Sequence, residues 1–208
     1  MIPKPTVRHA SFACDSPDKR EREFHGALAC HTRHALILVK LQETAMNQIN
    51  IAPINGDFSN ARIAYIEAGW HNDIVSQARL AFTEKLSEHG INQIELSEVP
   101  GSLEIPLQAK LLAKTDQFDV IVACGLIVDG GIYRHDFVAS TVLDSMMQVS
   151  LESEVPILSV VLTPHHFHEH DEHHSYFKTH FLKKGEEAAN ACIKTLANMQ
   201  RLGKVRNG

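Results

Sequence analysis

From residue 61 onward, apolar and polar positions switch between a period of two and a period near 3.6. The run 62-RIAYIE-67 is short and β-prone. Residues 71–90 carry apolar side chains at 74, 75, 78, 82 and 86, the spacing of one helix face, and end at Gly90, a usual helix stop. The segment 93-QIELSEV-99 alternates like a strand, and 102–115 predicts a helix with Pro106 in its first turns, where proline is tolerated. The run 119-DVIVACGLIV-128 is continuously apolar, as a strand buried on both faces is. Residues 134–153 predict a helix, 157-ILSVVLT-163 a second buried strand, and 178–202 a closing helix. Four βα units in succession predict an α/β fold with a four-stranded parallel sheet covered on both faces.

Residues 1–45 lack this order. The stretch 3–26 mixes proline, serine and both signs of charge without periodicity, and the run 35-ALILV-39 is too short for a signal-peptide core. Asp15, Asp18, Glu21, Glu23 and Glu43 do not suit a transit peptide, which is poor in acids. Residues 1–45 are therefore expected to be a disordered N-terminal extension, or the product of an upstream start ahead of Met46, with the functional domain over 46–208.

Composition narrows the class. Of 208 residues, 44% are hydrophobic and 22% charged, which excludes a mostly disordered chain and a collagen-like one. No apolar run approaches the ~20 residues that cross a bilayer. The formal charge of −5 predicts no broad nucleic-acid-binding face. Cys14, Cys30, Cys124 and Cys192 form no CxxC pair, which removes zinc-ribbon and thioredoxin readings and fits a reducing, cytoplasmic setting.

In a parallel sheet of this kind, ligands bind at the carboxyl ends of the strands. Trp70, the single tryptophan, follows the first strand, where its ring can stack on a flat heterocycle or plug the top of the sheet. Glu104 lies in the first turn of a helix, where it can serve the helix dipole or accept bonds from substrate hydroxyls. Gly130 and Gly131 precede 133-YRHDF-137 and can let backbone amides approach an anion. There Arg134 can hold a phosphate, His135 can move protons near neutral pH, and Asp136 can orient either one. Seven of the fourteen histidines lie between 165 and 180. That tract reads as a solvated polar face, a set of zinc ligands or an anion site; it contains no HExxH.

Taken in order and spacing, 100-PGSLEIP-106, 125-GLIVDGG-131, 133-YRHDFV-138 and 155-VPILSVVLT-163 resemble lumazine synthases over residues ~60–200, with four loops matching at once. The resemblance implies a flavodoxin-like three-layer αβα sandwich. It implies a transferase of riboflavin biosynthesis that joins 5-amino-6-(ribitylamino)uracil to 3,4-dihydroxy-2-butanone 4-phosphate. The products are 6,7-dimethyl-8-ribityllumazine, phosphate and water, with no metal and no organic cofactor. It also implies pentamers with the site between neighbouring subunits. The branch with the Trp-His turn, the GGIYRHDF segment and the TPHHFHE loop, which this chain resembles most, tends to be decameric.

The same resemblance implies residue roles. Trp70 stacks on the pyrimidine ring, and Ser102, Leu103 and Glu104 bind the ribityl chain. Leu126, Ile127 and Val128 line the pyrimidine pocket, and Gly131 and Ile132 cradle phosphate. Ser159 serves the neighbouring subunit's site, and His173 takes the place of a phosphate-binding arginine. Three positions depart from the common pattern. The proton-transfer histidine of most members falls on Arg134, with His135 turned ~100° along the helix. A histidine at 173 holds an anion less firmly than arginine. Ser159 replaces an aromatic residue. These changes predict slower turnover and weaker phosphate binding. They also leave open a different class of function, a flavin- or lumazine-binding carrier or sensor assembly.

Overall fold

The structure is a computed structural model; it describes residues 56–129, 134–164 and 171–205, with side chains in the last stretch described from His174 onward. The expected boundary near residue 46 lies outside the described residues. Four strands form one parallel sheet: β1 (Arg62–Ala68), β2 (Gln93–Val99), β3 (Val120–Leu126) and β4 (Ile157–Leu162), in the order β2-β1-β3-β4. The helices are α1 (Asn72–Ser87), α2 (Ile105–Ala113), α3 (His135–Ser153) and α4 (Asp171–Arg201). A 3-10 turn, Ser102–Glu104, leads into α2.

Strand alternation sorts the core into two layers. Ile63 and Tyr65 of β1, with Val120, Val122 and Cys124 of β3, pack against Ile74, Ala78 and Phe82 of α1 and Phe181, Cys192 and Leu196 of α4. Ala64 and Ile66, with Ile121 and Ala123, face Ile105 and Ala109 of α2 and Val142 and Met146 of α3. The result is helix, sheet, helix, the αβα sandwich expected. Burial also explains the two described cysteines. Cys124 and Cys192 are buried thiols, both pushed up to about 12 by desolvation, so neither is a ready nucleophile.

Two boundaries and one burial pattern differ from the periodicity. The helix expected from 102 starts as a 3-10 turn and becomes α-helical at Ile105, with Pro106 in the first turn, where its missing N–H costs nothing. The closing helix begins at Asp171 rather than near 178, because its first turns are polar and carry no apolar period. β4 is only partly buried, with Ser159 exposed, because it is a sheet edge; β3, at the centre, is buried throughout. No helix among the described residues is long and apolar enough to cross a membrane.

Helices α1 and α4 pack closely at Gly185. A Cβ there would overlap the Ala78 carbonyl oxygen and lie 2.9 Å from Ala78 Cα, both backbone atoms that cannot step aside. Nearer the sheet top, Asp73 Oδ2 lies 3.0 Å from Lys178 Nζ and 3.4 Å from His174 Nδ1. The Lys178 hydrogen bond and charge, with a smaller part from His174, hold the Asp73 carboxyl below its ordinary value against some desolvation.

Two predictions follow from this seam. Gly185→Ala should destabilise the fold by ~2 kcal/mol or more through overpacking, read as a lower denaturant midpoint at unchanged slope; an unchanged midpoint contradicts the close approach. For Asp73 the folded carboxyl binds its proton less tightly than the unfolded one. The stabilisation from its pair is therefore full above the ordinary carboxylate pKa and is lost as pH falls through the lowered folded value. Lys178→Met should cost ~0.2–1 kcal/mol near neutral pH, the scale of an exposed pair, and nothing once Asp73 is protonated. An equal deficit in denaturant melts at both pH values rules this out.

Candidate active site

The strand order gives the candidate site its place. From β1 the chain steps outward to β2, then crosses back to place β3 on the other side of β1. The loops after β1 and β3 consequently leave the sheet in opposite directions, and such a switch point is where parallel α/β sheets bind ligands. Backbone bonds hold the strand ends level: Gly69 N–H donates to the Val99 carbonyl at 2.8 Å, and Ile127 N–H to the Leu162 carbonyl at 2.9 Å.

Trp70 stands at the end of β1 and is 72% exposed, so it does not plug the sheet within this chain. The next residue, His71, has φ 54°, ψ 40°, a left-handed conformation uncommon outside glycine. Its carbonyl accepts the first bonds of α1, from Ile74 and Val75 N–H at 2.9 and 3.0 Å. The indole lies beside Gly101, where an added Cβ would sit 3.8 Å from Trp70 Cε2. The β2 loop therefore runs alongside the ring at Gly101.

The Gly101–Glu104 turn is pinned from within. Gly101 N–H donates to Glu104 Oε2 at 3.0 Å, the backward half of a capping box. Ser102 is half-buried against β3, its Oγ 2.6 Å from where a Cβ on Gly125 would stand, so the glycine in the middle of an apolar strand makes room for this turn. Leu103 and Glu104 are exposed beside it. Leu126 and Ile127 at the end of β3 are buried and Val128 is half-buried. Trp70, Ser102, Leu103, Glu104, Leu126, Ile127 and Val128 therefore gather at one end of the sheet.

The remaining candidates divide. Gly131 and Ile132 lie outside the described residues. Arg134 caps α3 in extended conformation and donates through Nη2 to Asp136 Oδ2 at 2.7 Å; its guanidinium stacks on the Phe137 ring, 4.2 Å from the centroid. That bond and charge lower the Asp136 carboxyl although desolvation, the largest single effect, raises it. His135 is the first residue of α3 and is half-buried. Ser159 is not brought to this site. It faces the α2–α3 side of the edge strand opposite Ala123, two strands from β1, with its Oγ accepting from Val161 N–H at 3.2 Å. His173 falls in the first turn of α4, and its side chain is outside the described residues. So is most of the histidine tract on which the zinc reading rested. Among the described residues no group of three His, Cys, Asp or Glu side chains could hold a metal ion.

The periodicity did not single out Glu67, Asn72 or Arg79. Glu67 is the last inward-facing residue of β1 and is fully buried. Arg79 Nε donates to its Oε2 at 2.8 Å and Asn72 Nδ2 to its Oε1 at 3.3 Å. The signal in the sequence was slight: one acid at the inward phase of 62-RIAYIE-67, with Asn and Arg seven residues apart on the following helix.

Comparison with known proteins identifies the family. The family model described as 6,7-dimethyl-8-ribityllumazine synthase matches residues 60–200. The 6,7-dimethyl-8-ribityllumazine synthase of Rhodococcus erythropolis is 53% identical over 151 residues, covering 72% of this chain and 97% of the relative. The 6,7-dimethyl-8-ribityllumazine synthase 2 of Bradyrhizobium diazoefficiens is 50% identical over 148 residues, 71% of this chain and 90% of the relative. The protein of that same name from Pseudomonas syringae pv. tomato is 51% identical over 148 residues, 70% of this chain and 87% of its own. The match runs from β1 into the last turns of α4, through every loop at the switch point, and the chain belongs to the 6,7-dimethyl-8-ribityllumazine synthase family.

Proposed function

We propose that the chain catalyses the condensation its relatives are named for, joining 5-amino-6-(ribitylamino)uracil to 3,4-dihydroxy-2-butanone 4-phosphate in riboflavin biosynthesis. The observation that carries this reading is the meeting of the Trp70 ring and the Glu104 carboxylate at Gly101, 3.8 Å and 3.3 Å from the position of an added Cβ. A flat ring and a polyhydroxyl chain are the two halves of the ribityl-uracil substrate, and an aromatic face beside a hydrogen-bond acceptor suits both. Glu104 Oε2 is occupied by Gly101 N–H, so Oε1 accepts from ribityl hydroxyls. Backbone groups of Leu126, Ile127 and Val128 line the pyrimidine side, with Ser102 and Leu103 along the ribityl chain.

The reaction makes moderate demands. The substrate amine attacks the ketone, water leaves, phosphate is eliminated, and the ring closes with loss of a second water. Holding two already reactive partners side by side supplies several kcal/mol of the barrier, and a general acid–base group adds ~10²–10⁴-fold. Arg134 serves charge stabilisation at the phosphate, and His135 beside it is the general acid–base group. Gly131 and Ile132 complete the phosphate cradle, and His173 adds a second, weaker anion contact. No step in this scheme calls for a metal or an organic cofactor.

The site is proposed to be completed by a neighbouring subunit in a pentamer-based assembly, of the decameric kind, in the cytoplasm. An exposed apolar band supports such packing: Leu107 and Leu111 on α2, and Phe137, Met147 and Leu151 on α3. Ser159, exposed on the outer edge strand and away from its own Trp70, suits a contribution to the neighbour's site.

A turnover assay on the full chain tests the reading by following lumazine formation above the spontaneous background. Catalysed formation is expected, with Glu104→Ala lowering kcat/KM by ~10-fold or more through the loss of charge-assisted hydroxyl bonds. Arg134→Ala should cost more activity than His135→Ala. Tight binding of lumazine or flavin with formation no faster than background would instead make the protein a carrier.

A further inference from the structure

We propose that Glu67 is a positioning residue for the Trp70 turn, acting through Asn72 and Arg79; its effect on catalysis rests on the function proposed above. The inward residues that precede it on β1, Ile63 and Tyr65, are core side chains packed against α1 and α4. Glu67 continues that phase as a fully buried carboxylate paired in register with Cys124, an apolar environment where an unpaired charge is strongly disfavoured. A well-packed hydrophobic residue would serve stability at least as well as a buried ion pair. What the carboxylate adds is direction. Its Oε1 accepts from Asn72, the first residue of α1, and its Oε2 from Arg79, two turns further along the same face.

These two bonds fix both the start and the axial position of α1 relative to the end of β1. Only Ala68, Gly69, Trp70 and His71 lie between the clamp's two ends. That short span contains the left-handed His71 and the exposed Trp70. The helix start is tied to the strand through Glu67, which accepts from Asn72 at the first position of the helix. A left-handed non-glycine residue persists only where its surroundings over-determine it, and the clamp supplies that constraint. The consequence is a Trp70 ring held against Gly101 before any ligand arrives, so that less ordering is required on binding.

Because Trp70 is the single tryptophan, its fluorescence reports on this turn in substrate-free protein. Asn72→Ala, at an exposed helix position, and Glu67→Gln, which presents an amide donor to one of two donors, are compared with the parent after a thermal melt confirms folding. The expected result is lower Trp70 anisotropy and easier acrylamide quenching in both. KM for the ribityl-uracil substrate should rise ~5–10-fold, the scale of one lost hydrogen-bonded contact, with kcat nearly unchanged. Folded variants with parental Trp70 anisotropy and quenching overturn the proposal, whatever their thermal stability. If Glu67→Gln does not fold, Asn72→Ala alone decides. If the parent shows no turnover, the functional reading fails, yet the fluorescence comparison still judges the clamp.

Discussion

The pairing of β1 with β3 is the constraint from which the rest of the molecule follows. Both strands are central, and β3 is buried along its whole length. Five register pairs join them, from Ile63 with Val120 to Glu67 with Cys124. Because β2 lies on one side of this pair and β4 on the other, the crossovers that leave β1 and β3 run in opposite directions across the sheet. The loops that leave β1 and β3 part at that point, and the Gly101–Glu104 turn from β2 closes the remaining side. The helices follow as well: α1 and α4 cover one face of the pair, α2 and α3 the other.

The site built there relies on close backbone approach more than on reactive side chains. Gly125 admits Ser102, Gly101 lies beside the Trp70 ring, and Glu104 closes on the Gly101 amide. Both buried thiols are held in their protonated form by desolvation, and the one guanidinium at the start of α3 is paired with Asp136 and stacked on Phe137. Such a surface suits a reaction between two partners that need alignment more than activation.

Much of this was legible before any coordinates. The helix-period positions of α1 and the unbroken apolar run of β3 foretold the layers, and the strand spacing placed Trp70 and Glu104 at the carboxyl ends of β1 and β2. What the pattern could not convey depended on neighbours distant in sequence or on position in the sheet. β4 reads as apolar as β3, yet an edge strand covered on fewer sides leaves Ser159 exposed. The first turns of α4 are polar, so nothing in their period marks Asp171 as the start. Glu67 looks like an ordinary solvent-facing acid at a strand end until Asn72 and Arg79 are seen to meet it. Ser159 stands on the edge strand β4, apart from the loops that follow β1 and β2, which its place in the sequence could not convey.

The most direct test of the central claim is a crystal structure of the protein with 6,7-dimethyl-8-ribityllumazine bound. The account predicts the ring lying flat on Trp70 at the β1–β3 switch point, with a ribityl hydroxyl donating to Glu104 and the chain running along Gly101–Glu104. A ligand seated elsewhere on the sheet, or in this cleft with neither Trp70 nor Glu104 in contact, would contradict it.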